Sequence, residues 1–294
     1  MVYGALLLTA GYGTRAEPLS LSRPKCLLPH GDKTVLSLAA ERALSLRPGV
    51  LMANATRRPD LVEEELRRYG NWRVIEEPVP LGAVATLAGI AGELPSGTLL
   101  VSNTDMVTDP DMTGMLESHE GSGAHWTLLC GGFPGRGRYG GLPVGSRGEV
   151  GLPGDRSKRS VHYYGISLVE PEVLKMAVDC EGGLFGGLLQ ACLEAGLSVR
   201  AHVSGAGWLD MGSLRLLLDN ILAGGNYVSP GALVAPRAEL RGRFRIGRGC
   251  RVEADAVVED SVMLDGSSIC RGELSRAILP WETSFDSEGA IYEA

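Results

Sequence analysis

The stretch ALLLTAGYGTRAEPLSLSRPK, residues 5–25, decides how this chain begins to fold. An apolar run stops at two glycines, an arginine follows, and a lysine arrives ten residues later among prolines. Such a run, ended by glycine, reads as a buried strand passing into a loop. The fragment from Gly11 to Ala16 satisfies the dinucleotide pattern G-x-G-x-x-A, and Asp32 lies near the spacing of a ribose-binding carboxylate. That site also needs a helix beginning at the second glycine. Pro18, Pro24 and the aperiodic LSLS between them argue against one. A Walker loop is excluded as well, because no G-x-x-x-x-G-K-[ST] occurs and Lys33-Thr34 follows Asp32. What remains is a loop that offers backbone N–H groups at Gly11 and Gly13, the planar fork of Arg15 and the point charge of Lys25 to phosphate oxygens. Two solvated cations on an ordinary loop are the plainer alternative.

Outward from this stretch, apolar runs alternate with helical patterns. Strands are expected at 5–10, 50–55, 72–77 and 98–105, and helices at 35–46, 60–70 and 83–94. This alternation predicts an α/β fold with a doubly wound, mainly parallel sheet covered on both faces. Its ligand crevice would lie beyond the carboxyl ends of the strands, at the loops after ALLLTA and LLVSN. From Asn226 the texture changes: LVAPRA, LRGRFR, IGRGCR, VEADAV, VEDSVM, LDGSSI and LSRAIL follow one another with aliphatic residues at matched positions. Repeats of about six residues read as a short parallel β-helix, a few ordinary hairpins being the alternative. Gly224-Gly225 and Ser229-Pro230 mark a boundary, giving a nucleotide domain at 1–225 and a repeat domain at 226–294.

With 294 residues, 44% of them apolar, the chain can bury a substantial core, which argues against a disordered protein. No window approaches the length of a membrane-spanning helix, and the opening apolar run lacks the basic start and cleavage site of a signal peptide. Six scattered cysteines without a C-x-x-C argue against zinc knuckles and a disulfide scaffold, and fit a reduced cytoplasm. A net charge of -7 without a basic cluster leaves no electrostatic footprint for nucleic acid. The expected partners are small anions gathered by local cations.

Beyond these readings, LLLTAGYGTRAEPLSLSRPKCLLPHGDKTVL, residues 6–36, resembles the signature of the sugar-1-phosphate nucleotidylyltransferases. The stretch from Glu77 to Gly82, followed by AVATLAG, is similar to that family's base-binding segment. LLVSNTDM resembles its strand ending in a metal-binding aspartate, and GWLDMGSLRLLLDN its second metal segment. Arg138-Tyr139-Gly140 and Tyr164-Gly165-Ile166 resemble the segments that approach the sugar. The resemblance implies a Rossmann-like nucleotidyltransferase fold followed by a left-handed β-helix, and transfer of a nucleotidyl group from a nucleoside triphosphate to a sugar 1-phosphate. It assigns Arg15 and Lys25 to catalysis, and Ala10, Gly11, Gly13, Thr14, Glu77 and Gly82 to the nucleotide. Asp105 and Asp210 would hold Mg²⁺.

Gly140, Lys158 and Gly165 would take the sugar phosphate. Residues 149–165 lack the family's E-K-P stretch and offer Lys158 or Arg159 in place of its lysine and Asp155 in place of its glutamate. The E-x-P-x-L-G spacing is similar to the guanylyltransferase branch, with GTP and mannose 1-phosphate as substrates. A UTP- or dTTP-dependent enzyme acting on glucose 1-phosphate, and a non-catalytic sensor of the same fold, are the other readings. Read alone, Asp105 could be a turn former or helix cap, and Asp210 could begin the helix that follows it. All five histidines precede the hexads, which argues against a histidine-dependent acyltransferase there. The repeats are instead expected to form a homo-oligomer surface, because stacked coils leave edges to be covered.

Overall fold

The structure is a computed structural model that describes residues 2–94, 96–132, 141–152, 159–212, 214–286 and 292–293. Two compact units divide the chain, Met1–Tyr12 with Leu36–Trp208, and Gly13–Val35 with Leu209–Ala294. The boundary expected at residue 225 falls inside the second unit.

In the first unit, apolar runs form the strands β1 (Val2–Leu8), β2 (Val50–Ala55), β3 (Arg73–Glu76), β4 (Thr98–Asn103), β5 (Trp126–Gly132), β6 (Leu142–Val144), β7 (Arg159–Val169) and β8 (Val199–Val203). They lie in the order β8-β5-β7-β4-β1-β2-β3, with β6 added on β7. β1 is parallel to β2 and β4, β2 to β3, and β5 to β8. β7 runs antiparallel to β4, β5 and β6, so the expected mainly parallel sheet is mixed. A parallel return needs a long crossover, usually a helix. Among the described residues no helix lies between β5 and β7.

The helices α1 (Val35–Leu44), α2 (Pro59–Leu66), α3 (Ala83–Ile90), α4 (Met112–Ser122) and α5 (Pro171–Val178) fall where helical patterns occur. Val84, Leu87 and Ile90 share one face of α3, at helical spacing, and join Val173, Leu174 and Ala177 of α5 in one core with Leu6, Met52, Val101 and Leu128. The expected helices at 60–70 and 83–94 both tighten before their ends, into the 3₁₀ turns Arg67–Tyr69 and Ala91–Glu93. LSLS differs from expectation too, since Leu19–Ser22 forms one helical turn after Pro18. Proline is tolerated at a helix start, where its missing N–H has no partner to lose, and a single turn needs no period.

In the second unit the strands Tyr227–Val228, Leu233–Val234, Glu239–Ile246, Arg251–Met263, Ser268–Ser275, Ala277–Leu279 and Ser284–Asp286 pair in parallel. Partners are eighteen residues apart at Tyr227 and Arg245 and sixteen at Ile269 and Phe285. Three columns of apolar residues result: Val228, Ile246, Met263 and Leu279; Val234, Val252, Ile269 and Phe285; Leu240, Val258 and Leu274. Most of these side chains are buried together. The interval shortens because the six-residue spacing of Ile246, Val252 and Val258 drops to five at Met263 and again at Leu274 and Leu279.

Two aspartates of this unit accept from backbone N–H groups. Asp260 Oδ1 accepts from Arg243 N at 2.9 Å, and Asp265 Oδ1 accepts from Arg248 N at 3.0 Å. No disulfide joins any of the six cysteines. Among the described residues, no helix is long and apolar enough to cross a membrane.

Candidate nucleotide and phosphate site

An asparagine organises the carboxyl ends of β1, β2 and β3. Asn54 sits in VLMANA, where a polar residue interrupts an apolar run, and it is 2% exposed. Its Oδ1 accepts from the backbone N–H groups of Thr9, at 2.8 Å, and Ala10, at 3.2 Å. Its Nδ2 donates to Glu77 Oε1 at 2.9 Å and to Thr86 Oγ1 at 3.1 Å. The Thr86 hydroxyl donates in turn to Glu77 Oε1 at 2.7 Å, and Leu81 N donates to Glu77 Oε2 at 3.1 Å. One buried amide thus fixes the start of the glycine loop against the EPVPLG stretch. A buried polar network satisfied in this way specifies one arrangement.

Glu77 therefore faces donors of its own chain and is buried, while its neighbour Glu76 is exposed. Glu76, Ile75, Leu81, Ala85 and Gly89 help line a cavity of about 370 Å³ beside this network. Gly82 precedes α3 at φ 86° and ψ 159°, a backbone region that essentially only glycine enters, and open space lies where a Cβ would be. Ala10 and Gly11 are half-buried, and Gly11 likewise faces open space. Asn54 and Thr86 escaped the sequence reading. The interruption of an apolar strand by Asn54 was the available signal.

The loop that follows is built of short turns. Gly13 adopts a left-handed conformation, φ 64°, ahead of the 3₁₀ turn Thr14–Ala16, and Ser20 Oγ donates to its carbonyl at 2.8 Å. A Cβ at Gly13 would stand 2.9 Å from Ser20 Cβ and 3.8 Å from Lys25 Cβ. Thr14 and Arg15 are exposed, and Lys25 is half-buried at the head of the turn Lys25–Leu27.

Asp105 follows β4, half-buried, in the bend before the short strand Met106–Thr108. Helix α4 is capped by Asp111, whose Oδ1 accepts from Gly114 N at 2.9 Å, so Asp105 is not spent as its cap. Buried Arg42 of α1 braces this bend, Nη1 donating to the Thr108 carbonyl at 2.9 Å and Nη2 to Ser102 Oγ at 3.3 Å. Burial lowers the Arg42 pKa to about 10, against the pull of Asp109, and leaves it charged at neutral pH. Gly165 of β7 lies at the same strand end. A Cβ there would come 3.0 Å from Asn103 Cβ, and φ is 81°, so the close approach requires glycine. Nearby, Tyr164 stacks on Trp208 with centroids 6.1 Å apart and donates to the Ala206 carbonyl at 3.2 Å.

In the second unit, buried Asp210 turns the chain toward the helix Leu214–Leu222, its Oδ1 accepting from Gly212 N at 2.8 Å. Asn220 Nδ2 donates to the Asp210 carbonyl at 2.7 Å. Asp210 thus shapes the turn that leads into this helix. Among the described residues, no three His, Cys, Asp or Glu side chains gather as a metal cluster. Mg²⁺ does not require such a cluster: it is a hard cation usually held by one or two carboxylates together with substrate phosphates and water. Gly140 and Lys158 lie outside the described residues.

Residues 4–151 match the family described as Nucleotidyl transferase. The chain belongs to that family. The matched part takes in the glycine loop, Asn54, Glu77 and Asp105, and ends before Gly165 and Asp210. The chain is also similar to the mannose-1-phosphate guanylyltransferase of Mycobacterium tuberculosis, at 24% identity over 91% of this chain and 81% of the relative. Mannose-1-phosphate guanylyltransferase 1 of Arabidopsis thaliana and probable mannose-1-phosphate guanylyltransferase 3 of Oryza sativa each share 25% identity, over 95% of this chain and 86% of the relative. The Asn54 network holds the backbone of Thr9 and Ala10 and the EPVPLG stretch in one arrangement beside the cavity.

Proposed function

We propose that this nucleotidyl transferase joins GTP and mannose 1-phosphate to give GDP-mannose and pyrophosphate. The observation that carries the reading is the Asn54 network, which couples the glycine loop to the EPVPLG stretch in a chain similar over most of its length to mannose-1-phosphate guanylyltransferases. In the reaction a phosphate oxygen of the sugar attacks the α-phosphorus, the bond from that phosphorus to the bridging oxygen breaks, and pyrophosphate leaves. Both reactants are polyanions, so the protein's work is positioning and neutralisation of charge.

Gly11, Gly13 and Thr14 present backbone N–H groups to the triphosphate. Arg15 holds the departing β- and γ-phosphates as charge develops on them, and Lys25 draws the sugar phosphate toward the α-phosphate. Gly82 admits the base close to the backbone, and Gly165 offers its backbone to the sugar, with Gly140 and Lys158 completing the sugar-phosphate site. Asp105 and Asp210 would hold Mg²⁺, which when bound would further neutralise phosphate charge. The parallel strands and three apolar columns of residues 226–294 support reading that part as a left-handed parallel β-helix, through which the chain forms a homo-oligomer. Six cysteines that form no disulfide support a cytoplasmic setting. Pyrophosphate release, measured with a panel of nucleoside triphosphates and sugar 1-phosphates, tests the reading. Turnover is expected with GTP and mannose 1-phosphate, and none with any pair overturns the assignment.

A further inference from the structure

The segment Gly13–Val35, which carries Arg15 and Lys25, groups by its contacts with Leu209–Ala294. Two anchors hold it there. At the first, Arg23 Nη2 donates to Glu282 Oε1 at 2.9 Å, and the guanidinium carbon lies 5.7 Å from the ring centroid of Trp281. Trp281 is only 8% exposed, so the surface that receives Arg23 is fixed by packing. Glu282 holds a left-handed backbone, φ 58°, which a non-glycine residue keeps only where its surroundings over-determine it.

At the second anchor, the hairpin of Pro29–His30 and Lys33–Thr34 is set by main-chain packing. His30 Nδ1 lies 3.0 Å from the Asn220 carbonyl oxygen, and Arg245 Nε donates to the Gly31 carbonyl at 3.2 Å. A Cβ on Gly224 would come 2.3 Å from Gly31 N, so the two backbones touch.

Lys25 lies between these anchors, two residues beyond Arg23 and five before His30. Arg15 is reached from Arg23 through rigid pieces. The helical turn Leu19–Ser22 abuts Arg23, and its Ser20 bonds the Gly13 carbonyl. We propose that the carboxyl-terminal repeat unit holds the phosphate loop in register, with Arg23 and Trp281 acting as positioning residues for Arg15 and Lys25. This rests on the reading of those two cations given above.

The test uses the full chain carrying Arg23→Ala or Arg23→Lys, with amide hydrogen exchange over residues 13–28, melting temperature and steady-state kinetics. Loss of a cation–π contact and its ion pair is expected to speed exchange in 13–28 and lower kcat/KM by about tenfold. Exchange around Asn54 and the melting temperature should not move. Lysine, which keeps a cation over the ring, should recover part of the loss. Unchanged exchange in 13–28 for Arg23→Ala overturns the clamp, and faster exchange with unchanged kinetics overturns its positioning role. Faster exchange in a protein that turns over no substrate pair leaves the clamp standing and refutes the reaction instead.

Discussion

The Asn54 network and the loop from Gly13 to Leu28 are built by opposite means. Around Asn54, polar groups are buried and mutually satisfied, and a single side chain serves three segments of chain. Along the loop, order comes from tight turns and from side chains at its edges, while Arg15 stays exposed. A site for a polyanion has use for both. In the proposed reaction both serve one end: buried hydrogen bonds fix the frame, and turns with anchors at their edges place Arg15 and Lys25 before the reaction begins.

The largest expected effects lie with the proposed metal carboxylates, which belong to neither construction. Asp105→Asn and Asp210→Asn should each lower Mg²⁺-dependent pyrophosphate release on the order of a hundredfold or more, with circular dichroism unchanged. Normal turnover in either would remove that residue from the metal.

Asn54→Ala tests the buried frame. It strips partners from two backbone N–H groups and from the Glu77 carboxylate at once, so chemical denaturation should show a loss of about 3 kcal/mol. A loss below about 1 kcal/mol would mean that water or a shift of chain replaces those bonds. The comparison with the loop would then fail, because both regions would be equally adaptable.

How far this contrast could be read in the sequence follows from the same physics. The strands β1, β2 and β4 were legible because apolar runs ending in polar or glycine residues have few other uses. The antiparallel course of β7 was not, since it depends on what connects it to β5 and not on its own residues. Within the candidate site, Gly11, Arg15 and Lys25 announce themselves by residue type. Asn54 and Arg42 do not, because a buried polar side chain declares its role only through partners tens of residues away. The helical turn at LSLS was missed for a different reason, that one turn is too short for periodicity to register.

The smallest effects separate two adjacent carboxylates, Glu76 and Glu77. All three donors around Glu77 point at its oxygens, so Glu77→Gln, although similar in shape, turns an amide N–H₂ toward at least one of them. Denaturation should register about 1–3 kcal/mol for that mismatch. Glu76 is exposed beside the cavity, and its replacement leaves no buried group unpaired. Glu76→Gln should therefore leave stability within about 0.5 kcal/mol of the parent. If Glu76 accepts from the N–H groups of guanine, the same change should narrow the preference for GTP over UTP by roughly tenfold, the worth of one hydrogen bond to a charged group. A stability loss at Glu77 with nucleotide preference altered only at Glu76 would place frame and reader on neighbouring residues. The opposite assignment, Glu77 as reader, requires the preference to move with Glu77→Gln by more than its stability does.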